Sequence, residues 1–343
     1  MKYLSKSLLI AFVALLLCWQ LPWCYNYFFL KTYQPPFAVY SSLIGDFALM
    51  ERNDDKQTIY TDLAGSIYTR AEFDSILPFV FARQLMAEGR FPDSLHGHRV
   101  TPKMAHHESF LFRTKPSGHQ GPSIGLYPLL ESASGRVDLE LPSDVFRFTD
   151  QGIEFVEMAT NELNVSKSRL FSEALTHAGF CFPASLVSGD PNPKKEYDEG
   201  YLLLDGQGGL FHLKQVKGLP YVHRLELPAK MNVQDLFITE LNNRRTLGLM
   251  AADDKLYAIR SKTYEIVPMA VERFDAEKES LLVVGNPFDW TVRISSAEEI
   301  RAYALRATDF SLIKSHRWEN PHKPLPGLRF TSSNDRWMKP RLE

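Results

Sequence analysis

Twenty-four consecutive residues without a charge, Ser7 to Leu30, constrain this chain more than any other stretch. A helix of that length spans roughly 36 Å, against a hydrocarbon core of about 30 Å. Inside lipid the backbone must satisfy its own polar groups, and a helix does so within one segment. Trp19, Trp23, Tyr25 and Tyr27 gather at the C-terminal end, where amphipathic rings favour the membrane interface. Pro22 kinks or ends the fully apolar part. Lys2 and Lys6 followed by Leu8 to Leu17 also resemble the start of a cleaved signal peptide. No small-x-small site follows, however, and Leu17 precedes Cys18 where a lipoprotein site needs a small residue. The expectation is an uncleaved anchor over 1–31, crossing once. Two lysines before the span against Lys31 after it favour a body outside the cytoplasm.

Gln34-Pro35-Pro36 reads as the end of a short stiff linker, 32–36. Beyond it the period is that of strands. In Gly200 to Leu227 three apolar runs are separated by Asp205-Gly206-Gln207-Gly208-Gly209 and by Lys217-Gly218-Leu219-Pro220, the punctuation of an up-and-down sheet. As a strand, Leu210 to Val216 places Leu210, His212, Lys214 and Val216 on one face. Units of this kind fall near 37–68, 125–158, 200–228, 234–271 and 280–316. Helical spacing interrupts them twice. Thr69 and Glu72 form a capping box ahead of a helix near 70–88, divided if Pro78 breaks it. A second helix near 166–178 ends at Gly179. The fold expected is mainly β with helical insertions: one N-terminal transmembrane helix and a propeller-like antiparallel β body over 37–318. A Pro-rich, basic tail, 319–343, is expected to pack loosely.

Four stretches, LLESASGRVDLELPSDVFRF (129–148), HAGFCFPA (177–184), GDPNPKKEYDEGYLLLD (189–205) and LFHLKQVKGLPYV (210–222), resemble an uncharacterised bacterial family of membrane-anchored proteins carrying a domain of unknown function. The resemblance runs from about Tyr60 onward. It implies a bacterial inner-membrane protein with a periplasmic or otherwise extracytoplasmic body, sometimes encoded beside ABC transporters. It assigns no catalytic residue.

Chemistry-bearing residues are sparse. Five of the ten histidines, His96, His98, His106, His107 and His119, lie in one excursion with Glu108 among them. Neutral imidazoles suit a divalent transition metal, and an HxH pair on an extended segment would present both rings to one side. His96, His98, His106 and His107 are therefore the candidate ligands, with a solvated polar loop as the simpler reading. Arg136, Asp138, Asp144 and Arg147 read as ion pairs locking a hairpin, or as an anion grip. His212 reads as a histidine satisfying a neighbour, or as a base.

Gly206-Gln207-Gly208-Gly209 leads into a strand, so it cannot cradle phosphate as a helix N-terminus does. No P-loop, nucleophile elbow or HExxH is present. With a net charge of −2 and no basic run among aromatics, a nucleic-acid partner is not expected. Three cysteines exclude a disulfide framework. The function expected is a non-catalytic accessory that needs no cofactor and docks on a membrane complex such as an ABC transporter. The alternative is a metal-binding or metal-dependent envelope protein built on His96 to His119.

Overall fold

The computed structural model describes residues 2–29, 35–53, 55–119, 124–132, 135, 137–322, 325–330, 338 and 340–342. Helix α1 (Lys2–Phe29) is followed by β1 (Phe37–Ser41), β2 (Asp46–Arg52), β3 (Thr58–Asp62) and β4 (Ile67–Tyr68), an antiparallel meander in that order. Next come α2 (Arg70–Ile76), α3 (Ala82–Ala87), the hairpin β5 (Ser94–Leu95) and β6 (His98–Arg99), α4 (Pro102–Glu108), β7 (Phe110–Thr114) and α5 (Pro116–His119). A second hairpin, β8 (Asp144–Phe148) and β9 (Ile153–Glu157), precedes α6 (Val165–His177).

The C-terminal half is three sheets. The first is β10 (Leu186–Gly189), β11 (Tyr201–Leu204), β12 (Leu210–Val216) and β13 (Leu219–Leu225). The second is β14 (Val233–Ile238), β15 (Thr246–Ala252), β16 (Lys255–Arg260) and β17 (Ile266–Pro268). The third is β18 (Ser280–Gly285), β19 (Asp289–Ser295), β20 (Glu299–Arg306) and β21 (Leu312–Glu319), and β7 pairs onto β18 as its fifth strand. A last pair, β22 (Leu328–Arg329) and β23 (Arg341–Leu342), lies in the tail.

The sheets pack face to face in series. Ala38, Tyr40, Phe47 and Leu49 of the N-terminal sheet bury against Ala302 and Ala304 of β20, whose small side chains admit the approach. Leu281, Val283 and Val292 of the third sheet meet Leu249, Ala251 and Ala258 of the second. Leu202, Leu204 and Leu210 meet Leu236, Leu247 and Met250. The far face of the first sheet, with Tyr201, Leu203 and Phe211, is closed by the β8–β9 hairpin and α6. Each large apolar side chain so buried stabilises by about 1.5–3 kcal/mol. The body is mainly β and propeller-like, with its sheets in an open series: no sheet among the described residues joins the first strands to the last.

Several expectations are refined. The 70–88 helix is two helices, because Pro78 disfavours helical geometry at Leu77, which takes φ −123° and ψ 58°. The Thr69–Glu72 capping box is formed, with the Thr69 N–H donating to Glu72 Oε2 at 2.8 Å. Among its described residues the 125–158 unit keeps two strands, β8 and β9. Pro128 and Pro142 lack the N–H a ladder needs, and Tyr127 forms one isolated bridge to Phe146. The 200–228 unit gains a strand, since the short and weakly apolar Leu186–Gly189 pairs with Tyr201–Leu204.

The tail described is tied to α1. Asn26 donates to the Leu325 carbonyl at 3.2 Å and accepts from its N–H at 2.8 Å, and Trp19 meets Phe330 edge-on at 4.8 Å. Position 327 must be glycine there, because a Cβ would lie 2.6 Å from the Pro22 ring. No residue in the most apolar stretch of helix α1 is buried, and the helix is long and apolar enough to be a membrane anchor or a signal sequence.

Candidate functional site

His96 is not on an extended segment. With Gly97 it forms the two-residue turn between β5 and β6, both residues at positive φ (52° and 77°), the geometry His-Gly supplies in a tight hairpin. The rings of His96 and His98 both flank Phe288, with centroids 5.5 and 5.9 Å away. His106 and His107 follow each other in the last turn of α4, their rings 5.8 Å apart. His119 ends α5, and its side chain lies outside the described set. Among the described residues no three His, Cys, Asp or Glu side chains converge as a metal site requires. Glu108 instead pairs with Arg245 at 2.8 Å and accepts from Asn243 at 3.3 Å.

What the excursion does build is a wall. A cavity of about 270 Å³ opens between the end of β1 (Val39 to Ser42), the α2–α3 link (Ile76 to Val80), the excursion (Leu95 and Ser109 to Leu111) and the end of β18 (Val284 to Asn286). The Pro78 break turns Leu77 to Val80 into a lining segment. Gly285 sets the Phe110 ring: a Cβ there would meet that ring at 2.2 Å, so only glycine lets it lie flat over β18 and pack edge-on against Trp290 at 4.8 Å.

Most of the lining is apolar and no side chain in it is charged. Ser41 Oγ donates to the Ile76 carbonyl at 2.6 Å. The Asn286 amide is locked, its oxygen accepting from the Phe288 and Asp289 N–H groups and its nitrogen donating to Asp289 Oδ1 at 2.9 Å. Ser109 Oγ is buried and has no hydrogen-bond partner among the described residues, and neither has Asp289 Oδ2. Burial pushes the Asp289 carboxyl up to about 7, against the pull of Asn286 and the neighbouring Ser42.

The second chemically dense place is the loop joining β10 to β11. Lys195 sits 2.6 Å from Asp198, pairs with Glu240 and donates to the Asp190 carbonyl. Both carboxylates are nearly fully buried, at 2% and 7% exposure. Burial raises both, while Lys195 draws them back. Glu240 also accepts from the Glu199 N–H at 2.7 Å, Asp198 from the Gly200 N–H at 2.8 Å, and Tyr197 donates to the Leu241 carbonyl at 2.6 Å.

His212 lies beneath, 1% exposed. Its Nε2 is 2.5 Å from the Glu199 carbonyl, which only accepts, so Nε2 carries the proton. Nδ1 then accepts from the Tyr264 hydroxyl at 2.9 Å, and Tyr221 lies 3.0 Å from Tyr264. Burial pushes the imidazole down to about 4. Both nitrogens are occupied, so His212 satisfies its neighbours.

All four stretches named above converge on this first sheet. Ser132 exchanges hydrogen bonds with the Asp198 backbone, and Glu131 accepts from the Lys217 and Gly218 N–H groups at 2.5 and 3.0 Å. The Cys181 N–H donates to Asp205 at 3.0 Å. Of the charged hairpin set, Arg147 pairs across the hairpin with Glu154 at 2.8 Å and Asp144 pairs with Lys167 at 2.8 Å. Asp138 is exposed, and Arg136 lies outside the described residues. Lys195, Glu199 and Glu240 had no signal in the sequence, because charged loop residues normally face water and only the fold buries these.

Among solved structures the chain is similar to the β-propeller domain of Cps50 (Swd1) from Myceliophteria thermophila, at 10% identity over 87% of this chain and 90% of that one, with a TM-score of 0.27. It is similar to the Dos1 propeller at 10% identity over 89% and 67%, TM-score 0.31, and to the WD40 domain of SCAP from fission yeast at 8% over 89% and 66%, TM-score 0.31. No curated protein matches the sequence. A family model matches residues 37–305, from the first strand of the body to β20: the chain belongs to the family of the domain of unknown function DUF4857.

Proposed function

We propose that this chain is a single-pass protein of the bacterial inner membrane whose periplasmic body serves as a non-catalytic docking partner of a membrane complex such as an ABC transporter. One observation carries the reading: two short straps join the body to α1. Seven residues, 30–36, separate the helix from β1, a reach of about 25 Å at most. The strap's end is fixed, since Pro36 is buried and its carbonyl accepts from Arg293 at 3.5 Å. From the end of β21 at Glu319 the chain is back on α1 by Leu325. A body so held meets membrane proteins at high effective concentration without any new contact. The lysines before the span support the outward orientation, and the family resemblance supports the bacterial membrane and the transporter.

Replacing Ser7 to Leu30 by an unrelated transmembrane helix should keep function, and releasing the body should impair it. Crosslinking in membranes should capture one recurrent partner. Reporter fusions at the C-terminus should be active only outside the cytoplasm, and the mature N-terminus should be unprocessed. Full function of the released body, with no recurrent crosslink, sinks the docking role.

A further inference from the structure

We propose that the C-terminal tail is a second membrane contact: it dips into the leaflet on the body's side, beside α1, and holds anionic phospholipid headgroups through Arg329 and Arg341. A hydrocarbon core of about 30 Å takes about 20 helical residues. Counted from Ser7, the first residue after Lys6, they end at Asn26. The tail meets α1 from that level downward. Leu325 holds Asn26 through both its N–H and its carbonyl, Gly327 lies against the Pro22 ring, and Phe330 packs on Trp19. From Asn26 back to Trp19 the helix descends about 10 Å, the depth to which interfacial segments enter a bilayer.

The backbone of the segment suits such a place. Polar groups in lipid must find partners within the protein. Leu325 finds its pair in Asn26, β22 pairs with β23, and Pro326 and Pro340 have no N–H to leave open. Leu325 and Met338 keep apolar side chains exposed, which water disfavours and lipid does not.

Charge names the lipid. Arg329 stands directly opposite Arg341 in the β22–β23 ladder. Like charges so placed repel, and the repulsion becomes attraction when both arginines share a phosphate. Set below the headgroups, an arginine reaches up to them along its apolar stem. The rest of the tail's sequence leans the same way, with Lys323, Arg336 and Lys339 against Asp335 between Glu319 and Glu343.

This role for the tail rests on α1 being an uncleaved anchor, and one measurement separates the two. The full chain, carrying Cys18→Ala, Cys24→Ala and Cys181→Ala, is spin-labelled at one exposed position at a time: Phe12 in α1, Leu325 or Met338 in the tail, or Ile67 on the body. It is placed in phosphatidylcholine nanodiscs with and without phosphatidylglycerol. Labels at Phe12, Leu325 and Met338 should be open to oxygen and shielded from a water-soluble nickel chelate, and Ile67 the reverse. Phosphatidylglycerol should raise the ratio of shielded to open label at Met338 by about fivefold per arginine engaged. Arg329→Gln with Arg341→Gln should remove that gain and leave Phe12 unchanged. Arginines that only face each other would give the opposite result, a tail more ordered in the double variant and indifferent to lipid charge. A lipid-immersed Phe12 with Leu325 and Met338 open to water overturns the tail's insertion alone, whereas a water-exposed Phe12 overturns anchor and tail together. No gain from phosphatidylglycerol, or a gain that survives the double variant, overturns the headgroup assignment.

Discussion

The loop between β10 and β11 and the cavity beneath the excursion are opposite in kind, one dense in buried charge and the other walled mostly by apolar side chains. At the loop, Lys195 answers Asp198 and Glu240, and backbone N–H groups take up the remaining carboxylate oxygens. At the cavity there is space between walls that carry no charged side chain. Complete pairing marks a joint that holds sheets together. Shifted titration alone would not separate the two places, because burial raises carboxylates in either setting.

The largest effect should come from breaking the joint. Lys195→Met leaves two buried carboxylates without their counter-charge and should cost about 3–5 kcal/mol of stability, measured by denaturant unfolding at neutral pH. A loss below about 1 kcal/mol, the range of an exposed ion pair, would place the joint among surface contacts.

His212 predicts the acid limb. Its folded pKa, about 4, lies below the unfolded value of 6.5, so its contribution is complete above pH 6.5 and is lost as pH falls toward 4. That loss is about 3 kcal/mol. The difference in stability between the parent and His212→Gln, whose amide can replace both hydrogen bonds, should narrow or reverse over that window. A constant difference from pH 7 to 4 would mean that the imidazole charges freely in the fold.

Asp289 predicts the opposite limb. Its folded pKa, about 7, lies above the usual 3.8, so the stability it contributes is complete below pH 3.8 and lost as pH rises through 7. Asp289→Asn should therefore stabilise by about 4 kcal/mol at pH 8 and change little at pH 4. Equal stabilisation at both values would separate the effect from ionisation.

The smallest effect lies at the rim. His96 occupies a turn position with φ 52°, and His96→Asn, the residue favoured in such turns, should raise stability by about 0.5 kcal/mol. A loss instead would show that the ring's contact with Phe288 outweighs the turn.

Much of the architecture was legible because it is periodic. The alternation in Leu210 to Val216, the turn at Lys217-Gly218, the Thr69–Glu72 box and the charge-free Ser7 to Leu30 are local patterns, and local patterns are what hydrogen bonding and burial enforce within a few residues. The weak strand Leu186–Gly189 was not legible, because its pairing with β11 is imposed across an eleven-residue gap, 190–200. Of the candidate site, the sequence marked the excursion by its histidines, yet the residues that line the cavity there are Leu95, Ser109, Phe110 and Leu111.

What the sequence by itself determined is the apolar first helix, the sheet-forming units and most of their turns, since each depends on residues close together in the chain. Only the tertiary structure decided that β7 would join β18 more than 160 residues later, that Lys195 would lie between two buried carboxylates, and that Leu95 and Phe110 would line one cavity. Those outcomes are set by which faces pack together once every strand must bury its apolar side. Burial converts an ordinary lysine into a joint, and burial is a property of the assembled sheets, absent from any local stretch of chain.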